Sequence, residues 1–277
     1  MSAPVPAALR PPFVPGVFDD MPAAVYHAIE AMSSGGVKKM LRSPAHYRLM
    51  RDTPNEPTAA MQFGTAVHEG VLEPDTFANR ILRAPDFDRR TKDGKAGAEA
   101  FAAAAGTRIV LAPADHDRAR RCVDAVLAHP GARALLSGAQ VERSVFWYDA
   151  KYRVPCKARF DIFNRGIADL KTTGDASKEA FARTIASFLY HAQAAHYYSG
   201  AEHALDASPD FFAFIAVESD LPHGVAVYRL GAPSLLAGRD EVDEALARYR
   251  TALESGLWPA YPPTIDQINV PRWALKR

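Results

Sequence analysis

Asp161, Asp169 and Lys171 are the residues of this chain whose types and spacing best suit catalysis. From Cys156 to Ile162 the sequence alternates: Cys156, Ala158, Phe160 and Ile162 are apolar, while Lys157, Arg159 and Asp161 are charged. Side chains alternate across a strand, so the three charged residues are expected on one face, with the apolar face fixing that register. In the following stretch GIADLKT, Asp169 and Lys171 share a face on either side of Leu170. If the two strands are neighbours, two carboxylates and an ammonium converge within about one strand spacing, roughly 4.8 Å. Two close carboxylates stay ionised at low cost only with a cation between them. Mg²⁺ suits that place, because it takes oxygen ligands, keeps several waters and is commonly held by one or two carboxylates plus a substrate phosphate. A lysine beside it could orient or help deprotonate the attacking water, or offset charge in the transition state of phosphodiester hydrolysis. An isolated D-x-K also describes an ordinary ion pair on a half-exposed strand, so the surroundings decide.

Those surroundings contain further candidates. Leu170 to Thr173 ends an apolar strand, where α/β proteins tend to build sites. Gln193 and Tyr197 lie at i, i+4 on a following helix and can face one ligand. His68 sits on an earlier helix, where Gly64 permits close approach of another backbone. Arg89, Arg90, Lys92 and Lys95 cluster in one polar stretch, and Arg118, Arg120 and Arg121 on a helix. Such clusters serve either as phosphate contacts or as solvated surface.

The elements that must position these groups change character along the chain. Ser33 or Ser34 caps a helix through Arg42, which the Ser43-Pro44 step ends, and Pro44 opens the next short helix. Residues 58–72 form a helix with Met61, Thr65, His68 and Leu72 on one side. Residues 85–98, charged and glycine-containing, are expected as a mobile loop, and 113–137 as helix broken at Pro130. Strands are expected at 141–149, 156–162 and 166–172, then helices at 178–188 and 191–205. FFAFIAVES (211–219) suits a strand buried on both faces, paired with 223–230 as a hairpin before a final helix at 233–254. The expected fold is α/β with a helical N-terminal part: a flexible arm at 1–24, then a single domain at 25–277, helical over 25–140 with an α/β catalytic core over 141–260.

Composition narrows the class. The 277 residues are 48% hydrophobic and 23% charged with a net charge of +1, enough to bury a large core. That charge neither favours nor excludes nucleic acid, since acidic metal ligands offset basic phosphate contacts. No apolar run is long enough to span a membrane, and the Pro-rich start lacks the pattern of a signal peptide. Cys122 and Cys156 are the two cysteines, too few for a disulfide framework, which implies a cytoplasmic setting. A Walker loop is absent, and His68-Glu69 lacks the second histidine of HExxH.

The runs GTAVHEGVLEP, VERSVFW, KARFDIF, IADLKTT and YHAQAAHYY, with MSSGGVKKMLRSPAHYRLM and RRTKDGKAG, resemble the exodeoxyribonuclease VIII (RecE)-like branch of the PD-(D/E)XK nucleases. The resemblance covers roughly residues 25–260. It implies a restriction-endonuclease-like core, a mixed central sheet flanked by helices, and a Mg²⁺-dependent deoxyribonuclease in which Mn²⁺ substitutes. It implies further that His68, Asp161 and Asp169 bind metal, that Lys171 is the catalytic lysine, and that Gln193 and Tyr197 support the site and the DNA end. Glu142 matches an acidic position of undefined role. Arg89, Arg90, Lys92, Lys95 and Arg159 are the candidate DNA contacts. Similar enzymes digest duplex DNA from an end in phage-type recombination, often as homo-oligomeric rings and beside a single-strand annealing protein. The chain departs from the family in two places: its second acid is aspartate where many relatives have glutamate, and Phe160 replaces the proline of the family's name. Two alternatives stand beside this one. A structure-specific or Cas4-like endonuclease of the same fold usually adds a cluster held by four cysteines. A non-catalytic DNA-binding relative would have no physical reason to keep the charged cluster.

Overall fold

The computed structural model describes residues 12–53, 56–88, 90–206 and 208–271. The chain opens with β1 (Gly16–Phe18), α1 (Ala23–Ala28), α2 (Ser34–Arg42), α3 (Pro44–Asp52), α4 (Ala59–Leu72) and α5 (Pro74–Arg80). Local side chains set several of these boundaries. The Ser33 hydroxyl accepts from Gly36 N at the start of α2, and Ser43 accepts from His46 N at the start of α3 with Pro44 in its first turn. Thr58 caps α4 in the same way through Met61 N.

β2 (Ile81–Arg83), α6 (Lys92–Ala105) and β3 (Ile109–Leu111) follow, the two short strands pairing in parallel. Then come α7 (Pro113–Ala128) and α8 (Pro130–Leu136), separated at Pro130 as expected. The second half runs β4 (Gln140–Tyr148), β5 (Pro155–Asn164), β6 (Gly166–Thr173), α9 (Lys178–Ser187), α10 (Tyr190–Ala204), β7 (Phe212–Glu218), β8 (Val225–Arg229) and α11 (Ala232–Ser255).

A six-stranded sheet of order β1-β4-β5-β6-β7-β8 forms the centre, antiparallel except where β6 and β7 run parallel. This is a mixed sheet flanked by helices, as expected for a restriction-endonuclease-like core. β7 is buried on both faces. Phe212, Phe214 and Ala216 enter one apolar cluster with α10 and α11; Ala213, Ile215 and Val217 enter a second with α4 and α7. No described helix is long and apolar enough to cross a membrane.

Three expectations need correction. Residues 1–24 were read as a flexible arm; residues 1–11 lie outside those described, but Gly16–Phe18 pairs with β4 and Phe18 packs on Phe146, so aromatic burial recruits this part into the sheet. Residues 85–98 were read as a loop, whereas α6 begins at Lys92 because the Thr91 hydroxyl caps it through Gly94 N. The third concerns the strict alternation expected over Cys156–Ile162. Cys156, Ala158 and Phe160 do face one cluster, but Ile162 enters the other. The opposing strand changes side with it: Val145 and Trp147 lie in the first cluster while Val141 packs against the second. The inversion falls between the pairs Val141↔Ile162 and Arg143↔Phe160, where Glu142 and Asp161 leave the ladder and Glu142 adopts a left-handed φ of 53°. A non-glycine residue costs about 1–3 kcal/mol in that region and is held there only by its surroundings.

Candidate active site

The β5–β6 ladder runs Asn164↔Gly166, Phe163↔Ile167 and Ile162↔Ala168, and goes no further. Beyond it a side chain replaces the backbone partner, as Leu170 N donates to Asp161 Oδ2 at 2.9 Å. The strands therefore separate just where β5 presents Asp161 and β6 presents Asp169 and Lys171. All three side chains are largely withdrawn from water, Asp169 being only 1% exposed.

His68 reaches this gap from α4. Its Nε2 lies 2.7 Å from Asp161 Oδ2 and its Nδ1 3.4 Å from Glu142 Oε1. Candidate ligand atoms of His68, Glu142 and Asp161 all fall within 4.8 Å of one another, a grouping that could hold a metal ion. The left-handed backbone of Glu142 thus has a local consequence, since it stands where the sheet inverts and turns a carboxylate towards His68. Gly64, one turn before His68, allows the contact of α4 with β6. A Cβ there would meet Thr172 Oγ1 at 3.4 Å, so the neighbour is a side chain where a backbone was expected.

Asp169 sits apart from that trio. Gln193 Nε2 donates to its Oδ1 at 2.5 Å, and Lys171 Nζ lies 2.5 Å from its Oδ2. Oδ2 is buried and makes no well-directed hydrogen bond, which leaves it able to face a further cation. His68, Asp161 and Asp169 are the ligands expected from the sequence, and the candidate ligand atoms of His68 and Asp161 lie together with those of Glu142.

The electrostatics follow from burial and from the crowding of acids. Burial opposes a charge on His68, but the carboxylates of Asp161 and Glu142 outweigh it and raise its pKa to about 10. Asp161 suffers the same burial, yet the His68 and Lys171 charges hold it below the usual carboxylate range. Burial raises Asp169, and the neighbouring Asp161 charge raises it further. Burial works against the charge of Lys171, and Asp169 and Asp161 overcome it, so its pKa rises. The charge of Asp161 is thus favoured and that of Asp169 disfavoured, so the two neighbouring carboxylates differ in how readily they ionise. The donor chemistry fits a divalent ion: the carboxylate oxygens suit both Mg²⁺ and Mn²⁺, and the imidazole nitrogen favours Mn²⁺ of the two. Metal ligation requires neutral imidazole, so an ion would displace the His68 proton.

Several expected residues stand elsewhere. Tyr197, on α10 with Gln193, is buried with its ring against Phe160 and Phe212, at 5.3 and 6.2 Å between centroids. It supports the floor of the site, and burial together with the nearby Asp169 and Asp161 charges holds its hydroxyl well above its usual pKa. Arg159 was expected to contact DNA. Its guanidinium instead donates to Glu142, to Met21 O and to Ser144 Oγ, because the N-terminal segment folds over that part of β5. Lys157 is likewise consumed, donating to the carbonyls of Tyr26 and Ile29 at 2.8 and 2.7 Å. Arg90 is exposed and paired with Asp88, Lys92 and Lys95 are on the first turn of α6, and Arg89 lies outside the described residues.

Two site residues escaped the sequence reading. Lys38 on α2 approaches Gln193 Oε1 at 3.5 Å, and burial together with the Lys171 charge lowers its pKa to about 8. Tyr190, the first residue of α10, has the ammonium groups of both Lys38 and Lys171 over its ring at 4.7 Å. The run MSSGGVKKM was noticed for its resemblance, and the place of Lys38 one turn after the Ser33 cap was the available signal.

No curated protein matches this sequence. Among solved structures, the chain resembles the crystal structure of a "Putative exonuclease" from Eubacterium rectale. The two share 14% identity at a TM-score of 0.59, over 82% of each chain, a likeness of fold. Residues 33–270 match the family model described as PDDEXK-like domain of unknown function (DUF3799), a span holding His68, Glu142, Asp161, Asp169, Lys171 and Gln193, and the chain belongs to that family.

Proposed function

We propose that this protein is a metal-dependent deoxyribonuclease that hydrolyses phosphodiester bonds from the ends of duplex DNA. The observation that carries the reading is the convergence of Asp161, Asp169 and Lys171 where β5 and β6 separate, with His68 and Glu142 completing a donor set beside them. A nuclease-like PDDEXK family and a fold neighbour named as an exonuclease support it.

His68, Asp161 and Glu142 would hold a Mg²⁺ or Mn²⁺ ion, with Asp169 facing it across the gap. The ion, when bound, supplies Lewis acidity and lowers the pKa of an attached water. The chain's own residues do the rest. Lys171, fixed by Asp169, places a positive charge where the non-bridging oxygens of the scissile phosphate gain charge. Gln193 fixes Asp169 and so fixes Lys171 in turn. Burial of all three excludes bulk water and keeps these charges from being screened. Arg90, Lys92 and Lys95 are proposed backbone contacts on the DNA entering the site, where electrostatic attraction supplies most of the binding.

Within the superfamily, the motif order supports a place among the RecE-like exonucleases, with action in recombination beside a single-strand annealing protein and assembly into a ring. End-labelled linear duplex and closed circular DNA, each incubated with Mg²⁺, with Mn²⁺ and with chelator, test the reading. Metal-dependent loss of the linear substrate alone is expected. Cleavage of the circle would establish an endonuclease instead, and no cleavage in either metal would overturn the enzymatic reading.

A further inference from the structure

The turn between α9 and α10 presents an aromatic pair that the chemistry above does not use. Phe188 ends α9 and is 60% exposed, yet its ring is not isolated: it stacks on Tyr190 at 5.7 Å between centroids with 21° between planes. Leu189 between them is left-handed, with φ 52° and ψ 41°. A left-handed backbone is rare for leucine, and it brings residues 188 and 190 onto the same side of the turn. Leu189 and Tyr190 are themselves packed against the main core, which holds the turn in place.

Scattered single apolar residues on a surface need no explanation. What separates Phe188 from those is its continuity with the site. The Tyr190 ring on which it stacks carries Lys171 Nζ and Lys38 Nζ, each 4.7 Å from the ring centre. The exposed ring of Phe188 therefore stacks on the ring that carries two cations, one of them the proposed catalytic lysine. That is the composition of a surface binding single-stranded nucleic acid, where cations track the backbone and aromatic faces stack the bases. A paired base has both faces covered by its neighbours in the duplex. A base freed at a frayed end has a face to offer, and so does one in a single strand.

We propose that Phe188, backed by Tyr190, stacks the unpaired nucleobase of a DNA end whose phosphate faces Lys171 and Lys38. This inference rests on the nuclease reading and adds a substrate preference to it: ends whose terminal bases are already unpaired, or easily become so, are cut faster than fully paired ends. Tyr190 is the partly buried support of the stack and Phe188 its exposed, base-contacting face.

The test compares kcat/KM for two linear duplexes that differ only in whether the terminal base pairs are matched or mismatched. The proteins are the wild type, Phe188→Ala, Phe188→Leu and Phe188→Trp. Loss of one stacked base is expected to lower the mismatched-to-matched ratio by about tenfold in the alanine variant. Leucine, equally apolar but without a π-face, is expected to behave as alanine does, and tryptophan to keep the wild-type preference. Because each ratio is taken within one preparation, a partly misfolded variant does not change it. An active wild type whose ratio is unaltered in the alanine and leucine variants overturns the stacking role and leaves the nuclease reading standing. A wild type that cuts neither duplex in Mg²⁺ or Mn²⁺ overturns both.

Discussion

Gln193 donates its carboxamide N–H to Asp169 Oδ1 at 2.5 Å, so a helix outside the sheet dictates how the second acid of the site presents itself. The same acid faces Lys171 through its other oxygen. Removing Gln193 frees Asp169 to rotate while leaving the acid and the lysine chemically intact. Gln193→Ala is therefore expected to cost about 10–100-fold in cleavage rate, the usual loss when an outer hydrogen bond to a metal-site residue is removed. Single-turnover cleavage of linear duplex measures it, and an unchanged rate would show that Asp169 needs no such restraint.

His68 joins two carboxylates, at 2.7 Å to Asp161 and 3.4 Å to Glu142. Both His68→Ala and Glu142→Gln are expected to move the Mn²⁺ dependence of cleavage to higher concentration, by about tenfold or more. Calorimetric titration of Mn²⁺ without DNA gives the same comparison independently of catalysis. An affinity equal to wild type in the Glu142 variant would return the ligand set to the one expected from sequence.

The two groups of cations should separate in their response to salt. Arg159 is committed to Glu142, Met21 O and Ser144, so its loss is a matter of stability. Arg159→Met removes one of the two cations beside Glu142, leaving His68, and is expected to cost roughly 1–3 kcal/mol in urea unfolding. The combined variant Arg90→Ala, Lys92→Ala, Lys95→Ala should instead unfold like wild type, while each lost phosphate contact lowers the slope of log affinity against log salt by about one. A normal slope in the triple variant would remove that cluster from the DNA path.

His196 supplies a pH dependence of stability outside the cluster of His68, Glu142 and Asp161. It is wholly buried beside Trp147 with Nε2 3.1 Å from Lys157 O, and burial lowers its pKa from 6.5 to about 4. The unfolded chain therefore binds the proton first, and stability falls as pH drops from 6.5 towards 4. The full contribution is roughly 3 kcal/mol, since one pKa unit corresponds to about 1.4 kcal/mol. Urea midpoints measured with chelator over that range should fall less steeply for His196→Gln than for the wild type. Parallel slopes would show that this histidine does not titrate on unfolding.

Much of the site was legible because strand period and helix period are local properties. The register of β6 and the apolar run of β7 follow from their own residues, as do the caps at Ser33 and Ser43. The inversion at Glu142 and Asp161 was not legible. It depends on a left-handed backbone at a glutamate, a conformation no local propensity favours, and on a carboxylate taking a backbone partner's place between two strands. That one feature brings Glu142 beside His68 and Asp161. The fate of Lys157 and Arg159 was hidden for a different reason: both are covered by residues more than 120 positions earlier, and alternation along β5 carries no information about what lies over it. Thr91 is a cap residue set among charges that otherwise read as loop, and its hydroxyl accepts from Gly94 N to start α6.

The most direct test of the proposed chemistry compares wild type with Lys171→Ala and Asp169→Asn on one end-labelled linear duplex, across Mg²⁺ concentrations and with chelator. Circular dichroism of each protein establishes that it is folded. The wild type should cut only with metal, and each variant should lose about a thousandfold or more in rate at every metal concentration while remaining folded. Cleavage at the wild-type rate by a folded Lys171 or Asp169 variant, or cleavage by the wild type in chelator, would contradict the assignment of this site.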